Sequence, residues 1–188
     1  MLGNDVVDLK LARRRNNWRR ANYLSKIFTP DEQRLVYHSD CPDLMVWLIW
    51  SMKEAAYKIV NRNTGLRFFD PKGFHCTVQI HDLKATGCVD YRGEQFMTHS
   101  EINEHYVHTL SFKTGSGIEQ CHVVQRRNAD DYVLSFNLKH KGLMLQKNNS
   151  GLPEIFIRKT QSRHLASVSH HGRFLFIAYL HTTEEVVS

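Results

Sequence analysis

Apolar residues recur at helical spacing in the first third of the chain and alternate with polar ones in the remainder. Residues 2–9 read as a short strand, because Val6, Val7 and Leu9 are apolar and Gly3 permits close backbone approach. From residue 10 to 26 the apolar positions Leu11, Trp18, Tyr23 and Leu24 are sparse among arginines, which predicts a highly charged helix with a narrow apolar stripe. Thr29-Pro30-Asp31-Glu32 is a helix start: Thr caps the free N–H groups, Pro suits the first turn, and Glu reaches back to the cap. Cys41-Pro42-Asp43 ends that helix and opens a third, over residues 43–62, in which Trp47, Trp50, Ala55 and Ile59 recur at helical intervals. Beyond Gly65 the texture changes. Phe74, Cys76, Val78 and Ile80 alternate with polar residues, as in a half-buried strand, and residues 106–112, 121–125, 132–138 and 154–157 do likewise. Gly115-Ser116-Gly117 and Asn148-Asn149-Ser150-Gly151 are turn chemistry, and residues 167–170 and 173–179 flank a His171-Gly172 turn as a hairpin. Helices first and strands later predict an α+β fold, with the N-terminal strand and helices packed on a mainly antiparallel sheet.

The 188 residues suit a single domain, and no internal repeat or dividing linker interrupts them. No apolar run approaches the roughly 20 residues needed to cross a bilayer. Asp5 and Asp8 near the start do not fit a secretory signal, and the four cysteines form no C-x-x-C pair. Together these point to a cytoplasmic protein with reduced, mostly buried thiols. Charge narrows the field further. The net charge is +6, and residues 1–26 alone hold seven Lys and Arg against two Asp, a local net of +5. Such a face attracts polyanions: nucleic acid, phosphorylated small molecules or an acidic protein. A solvated helix face without a partner explains the charge equally well at this point.

Three segments carry candidate chemistry. Gly3-Asn4-Asp5-Val6-Val7-Asp8 places a carboxylate on a strand beside a glycine, where substrate phosphates could approach; most such aspartates nevertheless make only turn or cap hydrogen bonds. In Trp50-Ser51-Met52-Lys53-Glu54-Ala55-Ala56-Tyr57-Lys58, Glu54 and Lys58 stand four apart and share a helix face. A surface ion pair there would contribute only about 0.3–0.5 kcal/mol, but Trp47 and Trp50 on the same face argue for a lined pocket. In Ser167-Val168-Ser169-His170-His171-Gly172-Arg173, alternation puts Ser167 and Ser169 on one side and Val168 and His170 on the other. Hydroxyl and imidazole groups at a strand end can bind oxyanions, although turn residues look the same. His99, Glu101, His105 and His108 lack a recognised metal-ligand spacing and read as scattered, solvent-facing residues.

In combination the three segments resemble the signatures of the 4′-phosphopantetheinyl transferase superfamily: a G-x-D-[IV]-x-[DE] strand, a W-x-x-K-E-A-x-x-K helix and an S-[IV]-S-H segment. Their order is that of the holo-acyl-carrier-protein synthase branch; in the longer, duplicated branch the serine segment comes before the aspartate strand. Thr64-Gly65 followed by Phe69-Asp70 also looks like that family's turn into its next strand. The resemblance covers residues 1–82 and 165–180 and leaves an elaboration at about 83–164. It implies transfer of the 4′-phosphopantetheine arm from coenzyme A to a serine of an acyl or peptidyl carrier protein, with Mg²⁺ as cofactor and adenosine 3′,5′-bisphosphate as product. Carried over, Asp5 and Glu54 would ligate the metal. Lys58 and Lys53 would hold phosphate oxygens; Gly65, Ser169 and His170 would line the coenzyme A site. Glu54 would be the base for the serine proton, directly or through a water, with Lys58 beside it.

Asp8 is less secure, since three residues along a strand it points away from Asp5. In the related synthases a basic first helix docks an acidic carrier, a role that falls here on Arg13, Arg14, Arg15, Arg19 and Arg20. Compact relatives are trimers with sites between subunits. An oligomer is therefore expected, unless the elaboration completes the site within one chain. The competing reading is a non-enzymatic basic module that binds nucleic acid or an acidic protein through residues 13–20, although the chain carries no recognised nucleic-acid motif.

Overall fold

The computed structural model describes residues 1–113 and 118–180; the expected turn at 115–117 lies outside them. The chain opens with β1 (Leu2–Asp8), then α1 (Leu9–Arg15), α2 (Tyr23–Ile27), α3 (Pro30–Tyr37) and the 23-residue α4 (Pro42–Thr64). Strands β2 (Phe74–His81), β3 (Lys84–Tyr91), β4 (Glu94–Ile102) and β5 (Tyr106–Lys113) follow. The remainder is β6 (Cys121–Arg127), α5 (Tyr132–Lys139), β7 (Leu143–Lys147), β8 (Pro153–Ile157), β9 (Ser162–His171) and β10 (Phe174–Leu180). The fold is α+β. Two antiparallel five-stranded sheets run in the orders β1-β5-β4-β3-β2 and β6-β10-β9-β8-β7. Residues 83–164 are therefore not an appendage: they finish the first sheet and build most of the second. No helix among the described residues is long and apolar enough to cross a membrane.

The local signals acted as their chemistry predicts at most element ends. Thr29 and Glu32 form a reciprocal capping box on α3. Gly65, at φ 68°, closes α4 in the left-handed conformation. Two expectations are corrected. The single charged helix over 10–26 is two short helices, because the side chain of Asn17 accepts from Arg19 N, Trp18 Nε1 is drawn to Asp43, and Asn22 adopts a left-handed φ of 64°. The strand expected at 132–138 is helix α5, which buries Phe136 and fastens Asn137 to both the N–H and the C=O of Leu145. Of the four free thiols, only Cys76 is fully buried; Cys41 is exposed.

The main core lies between α4 and the first sheet, around Val46, Leu48, Ile49, Met52, Ala56 and Ile59. β1 is packed on both faces. Gly3 lies so close to α4 that a Cβ there would sit 2.0 Å from the Ala55 carbonyl oxygen, and Val7 joins the α4 core. The even-numbered residues face the second sheet instead: Leu2 packs with Ala178, and Val6 with Phe176. β1 is also an edge strand, and two of its N–H groups are satisfied by β9 side chains. Asn4 N donates to Ser167 Oγ at 3.0 Å, and Asp8 N to His171 Nδ1 at 2.9 Å.

Candidate active site

The close approach permitted by Gly3 brings a carboxylate from β1 and one from α4 to the same place. Asp5 follows Gly3 by two residues on the face turned to α4, and Ser51 Oγ donates to its carbonyl oxygen at 3.4 Å. Glu54 projects from the middle of α4. Both carboxylates border a cavity of about 170 Å³ walled by Trp47, Trp50, Asn16, His170 and His171. Burial raises the pKa of Asp5, with Lys58 opposing. Burial and then the charge of Asp5 push Glu54 up to about 7, again against Lys58. Lys58, one turn along α4, donates to the Asn4 carbonyl at 2.6 Å and lies 3.4 Å from Asp5 Oδ1. Two oxygens therefore engage an ammonium that has three donors.

The hairpin β9–β10 supplies the far wall. Ser167 bonds Asn4 from both directions, accepting from its backbone N–H and donating to Oδ1 at 3.0 Å. His170 and His171 border the cavity, and His171 lies within electrostatic reach of Asp5, Asp8 and Arg15. His171 reads in the sequence as a turn residue, and its part in this wall was not visible there. Arg62 likewise went unremarked; its guanidinium bonds the carbonyls of Pro153 and Ala166, tying α4 to the second sheet.

Other expected residues stand elsewhere. Lys53 is 2% exposed, paired with Glu32 at 2.8 Å and donating to the carbonyls of Pro71 and Phe74. All three of its donors are engaged inside the protein, so a contact with phosphate would require breaking a buried ion pair. Gly65 caps α4 eleven residues from Glu54, roughly 16 Å along the axis. Ser169 is buried, with no partner for its hydroxyl among the described residues. Arg13, Arg14 and Arg15 are exposed on α1, which leads into Asn16 at the cavity. Arg19 and Arg20 belong to a separate region: Arg19 is held bidentate by Asp43 at 2.9 and 3.0 Å, and both border a cavity of about 490 Å³ with Trp18, Tyr23 and Tyr37. Among the four residues expected to be scattered and solvent-facing, His108 is the exception. It is buried and stacked on Phe176 at 4.0 Å.

The donor set fits a hard divalent cation. Two carboxylates that share a confined cavity, each held toward its neutral form, would both be stabilised by such an ion. Mg²⁺ takes one or two carboxylates together with phosphate and water oxygens. Among the described residues no cluster of three His, Cys, Asp or Glu side chains offers a closed protein cage, so the remaining ligands would come from substrate and water.

A family model of the 4′-phosphopantetheinyl transferase superfamily matches residues 1–136. Among solved structures, the holo-[acyl-carrier-protein] synthase of Thermotoga maritima is similar, at 14% identity over 81% of this chain and 83% of that chain, with a TM-score of 0.45. No curated protein matches the chain in sequence.

Proposed function

The chain belongs to the 4′-phosphopantetheinyl transferase superfamily, and from that premise we propose that it moves the 4′-phosphopantetheine arm of coenzyme A onto a serine of an acidic acyl or peptidyl carrier protein. The observation that carries this reading is the pair Asp5 and Glu54, presented by a strand and a helix to one cavity, with the Lys58 ammonium 3.4 Å from Asp5. A bound Mg²⁺ would offset the charge that builds on the diphosphate as the serine oxygen attacks the β-phosphorus. Asp5 and Glu54 would hold that ion. Lys58 keeps a third donor for a phosphate oxygen. Glu54, directly or through a water, is the base for the serine proton. Adenosine 3′,5′-bisphosphate leaves.

The neighbouring cavities sort the two ends of coenzyme A by charge. His170 is shared with a groove of about 400 Å³ lined by Tyr132, Leu145, Lys147 and Val168, where the Lys147 ammonium suits the phosphorylated nucleotide. Glu54 is shared with a cavity of about 240 Å³ lined by Tyr57, Phe68, Phe69 and Asp70. That second cavity offers no free ammonium, since Lys53 is engaged, and it suits the uncharged arm. The exposed Arg13, Arg14 and Arg15 beside the site steer the acidic carrier.

The test is to mix the protein with coenzyme A, Mg²⁺ and an apo carrier and to weigh the carrier. A mass gain equal to the arm is expected, abolished by Glu54→Gln with the fold retained. Absence of transfer to every carrier that a competent control enzyme modifies would overturn the reading. Full activity in Glu54→Gln would remove that residue from the site.

A further inference from the structure

Asp8 has a different task from Asp5. Its side chain is 2% exposed, and five donors converge on it. Oδ2 accepts from Arg173 N at 3.1 Å and Nε at 2.9 Å; Oδ1 accepts from Arg173 Nη2 at 3.2 Å, Lys10 N at 3.1 Å and Leu11 N at 3.2 Å. A carboxylate offers about four lone-pair positions, so this one has none left for a cation. Capping α1 accounts for two of the five donors. The other three all come from Arg173, which follows the β9–β10 turn. The same turn is gripped again where Asp8 N donates to His171 Nδ1. Gly172 lies between the two grips at φ 54°, and a Cβ there would fall 2.5 Å from Asp8 Oδ2. From the other side Asn128 donates its amide to the Gly172 carbonyl and its backbone N–H to that of Arg173, each at 3.0 Å.

The turn so fixed carries His170 and His171, which wall the Asp5–Glu54 cavity. We propose that Asp8 and Arg173 are positioning residues: the pair locks the β9–β10 turn against β1 so that the two histidines face the carboxylates. The role in catalysis rests on the transfer reading above, whereas the positional claim does not. Because Asp8 also caps α1, one carboxylate sets both the basic helix and the histidine wall relative to the Asp5 strand.

The experiment compares Asp8→Asn, Arg173→Met, their double variant and Arg173→Lys. Asparagine is an effective helix cap, so Asp8→Asn removes the grip on Arg173 while α1 stays capped. Each single variant should lower kcat/KM for coenzyme A by about 10- to 100-fold, the scale of an ångström-sized misplacement. The double variant should be no worse than the poorer single one, as for two residues acting as a unit. Arg173→Lys should fall between, and half-saturating Mg²⁺ should not move. Nitrogen NMR of the His171 ring at pH 8 gives a readout independent of turnover: Nδ1 accepts from Asp8 N in the native protein, so the Nε2–H tautomer dominates, and Arg173→Met should mix the tautomers. Wild-type kinetics and an unchanged His171 spectrum in Arg173→Met would overturn the proposal, as would additive losses. A raised Mg²⁺ requirement in Asp8→Asn alone would make Asp8 a ligand instead. If the native protein transfers nothing, the transfer reading fails, and the His171 spectrum still decides the positional claim.

Discussion

Gly3→Ala tests how finely the two carboxylates are placed. The added Cβ would lie 2.0 Å from the Ala55 carbonyl oxygen, 3.0 Å from its carbon and 3.2 Å from Ile59 Cγ1. Ile59 can turn about its side-chain torsions. The carbonyl cannot, because it belongs to the hydrogen-bonded backbone of α4. Relief therefore requires β1 and α4 to separate by about 1 Å. Overpacking of this kind costs about 1–3 kcal/mol, which for a domain of this length lowers the melting temperature by about 3–10 °C. A loss of that size leaves a protein with about 5–15 kcal/mol of stability almost wholly folded at 25 °C. Transfer should nonetheless drop by about 100-fold, because Asp5 moves with β1 and Glu54 with α4. Calorimetry gives the first number; initial rates measured 20 °C or so below the variant's transition give the second. Ala55→Gly should rescue neither, since the obstacle is backbone. A Gly3→Ala variant with native rates would show that the spacing of β1 and α4 does not govern the site.

Lys53→Met should cost about 3–5 kcal/mol, because it strands the Glu32 carboxylate, 1% exposed, without its cation. The KM for coenzyme A should be unchanged in the surviving folded protein; a large rise, measured well below the transition, would return Lys53 to the phosphate site. His108→Phe should remove part of the protein's acid lability. Burial, with Lys58 adding to it, lowers the native His108 pKa to about 3, so the imidazole stays neutral in the fold while the unfolded chain takes up a proton below about 6.5. The associated stability is complete above pH 6.5 and drains away as pH falls toward 3, about 2 kcal/mol being gone at pH 5. Urea titrations at pH 5 and 7.5 should show that difference shrink in the variant, and an equal difference in both proteins would refute it. Replacing Arg13 and Arg14 by Glu should raise the KM for an acidic carrier and flatten its salt dependence while leaving the KM for coenzyme A alone; steady-state kinetics from 50 to 300 mM salt decide it.

Whatever depends on chain neighbours could be read ahead of the structure. The capping box, the proline that opens α4 and the glycine that closes it are local chemistry, and each stands where expected. What depended on distant partners was hidden. Tyr132 to Leu138 alternates as a strand would, but Tyr132 and Phe136 also lie four apart, and only the docking of Phe136 beside Leu145 and Tyr179 decides for helix. Strands β3 and β4, with Gly87, Asp90 and Glu101, lack a clean period. Their hairpin is set by Arg92 and Gly93, both at positive φ. Lys53 stands in the motif with Glu54, but one position along a helix turns a side chain by about 100°. Glu54 meets the cavity; Lys53 meets Glu32, already held by Thr29 N and Cys76 N.

The period-two pattern of β1 gives the site its organisation. Gly3, Asp5 and Val7 turn to α4, where the chemistry of the carboxylates lies. Asn4, Val6 and Asp8 turn to the second sheet, where Ser167, Phe176, His171 and Arg173 receive them. A third acid therefore does not join the first two, even though it stands in the same motif. Three residues of offset put it on the opposite face, where a carboxylate can grip a hairpin but cannot share a cation with Asp5. The same parity brings the third motif to the first within one chain, since the edge N–H groups of Asn4 and Asp8 are met by Ser167 and His171. The elaboration that follows the second motif completes the first sheet and supplies most of the second, and the second sheet carries the histidine wall. A second copy of the chain is not needed to bring that wall to Asp5 and Glu54.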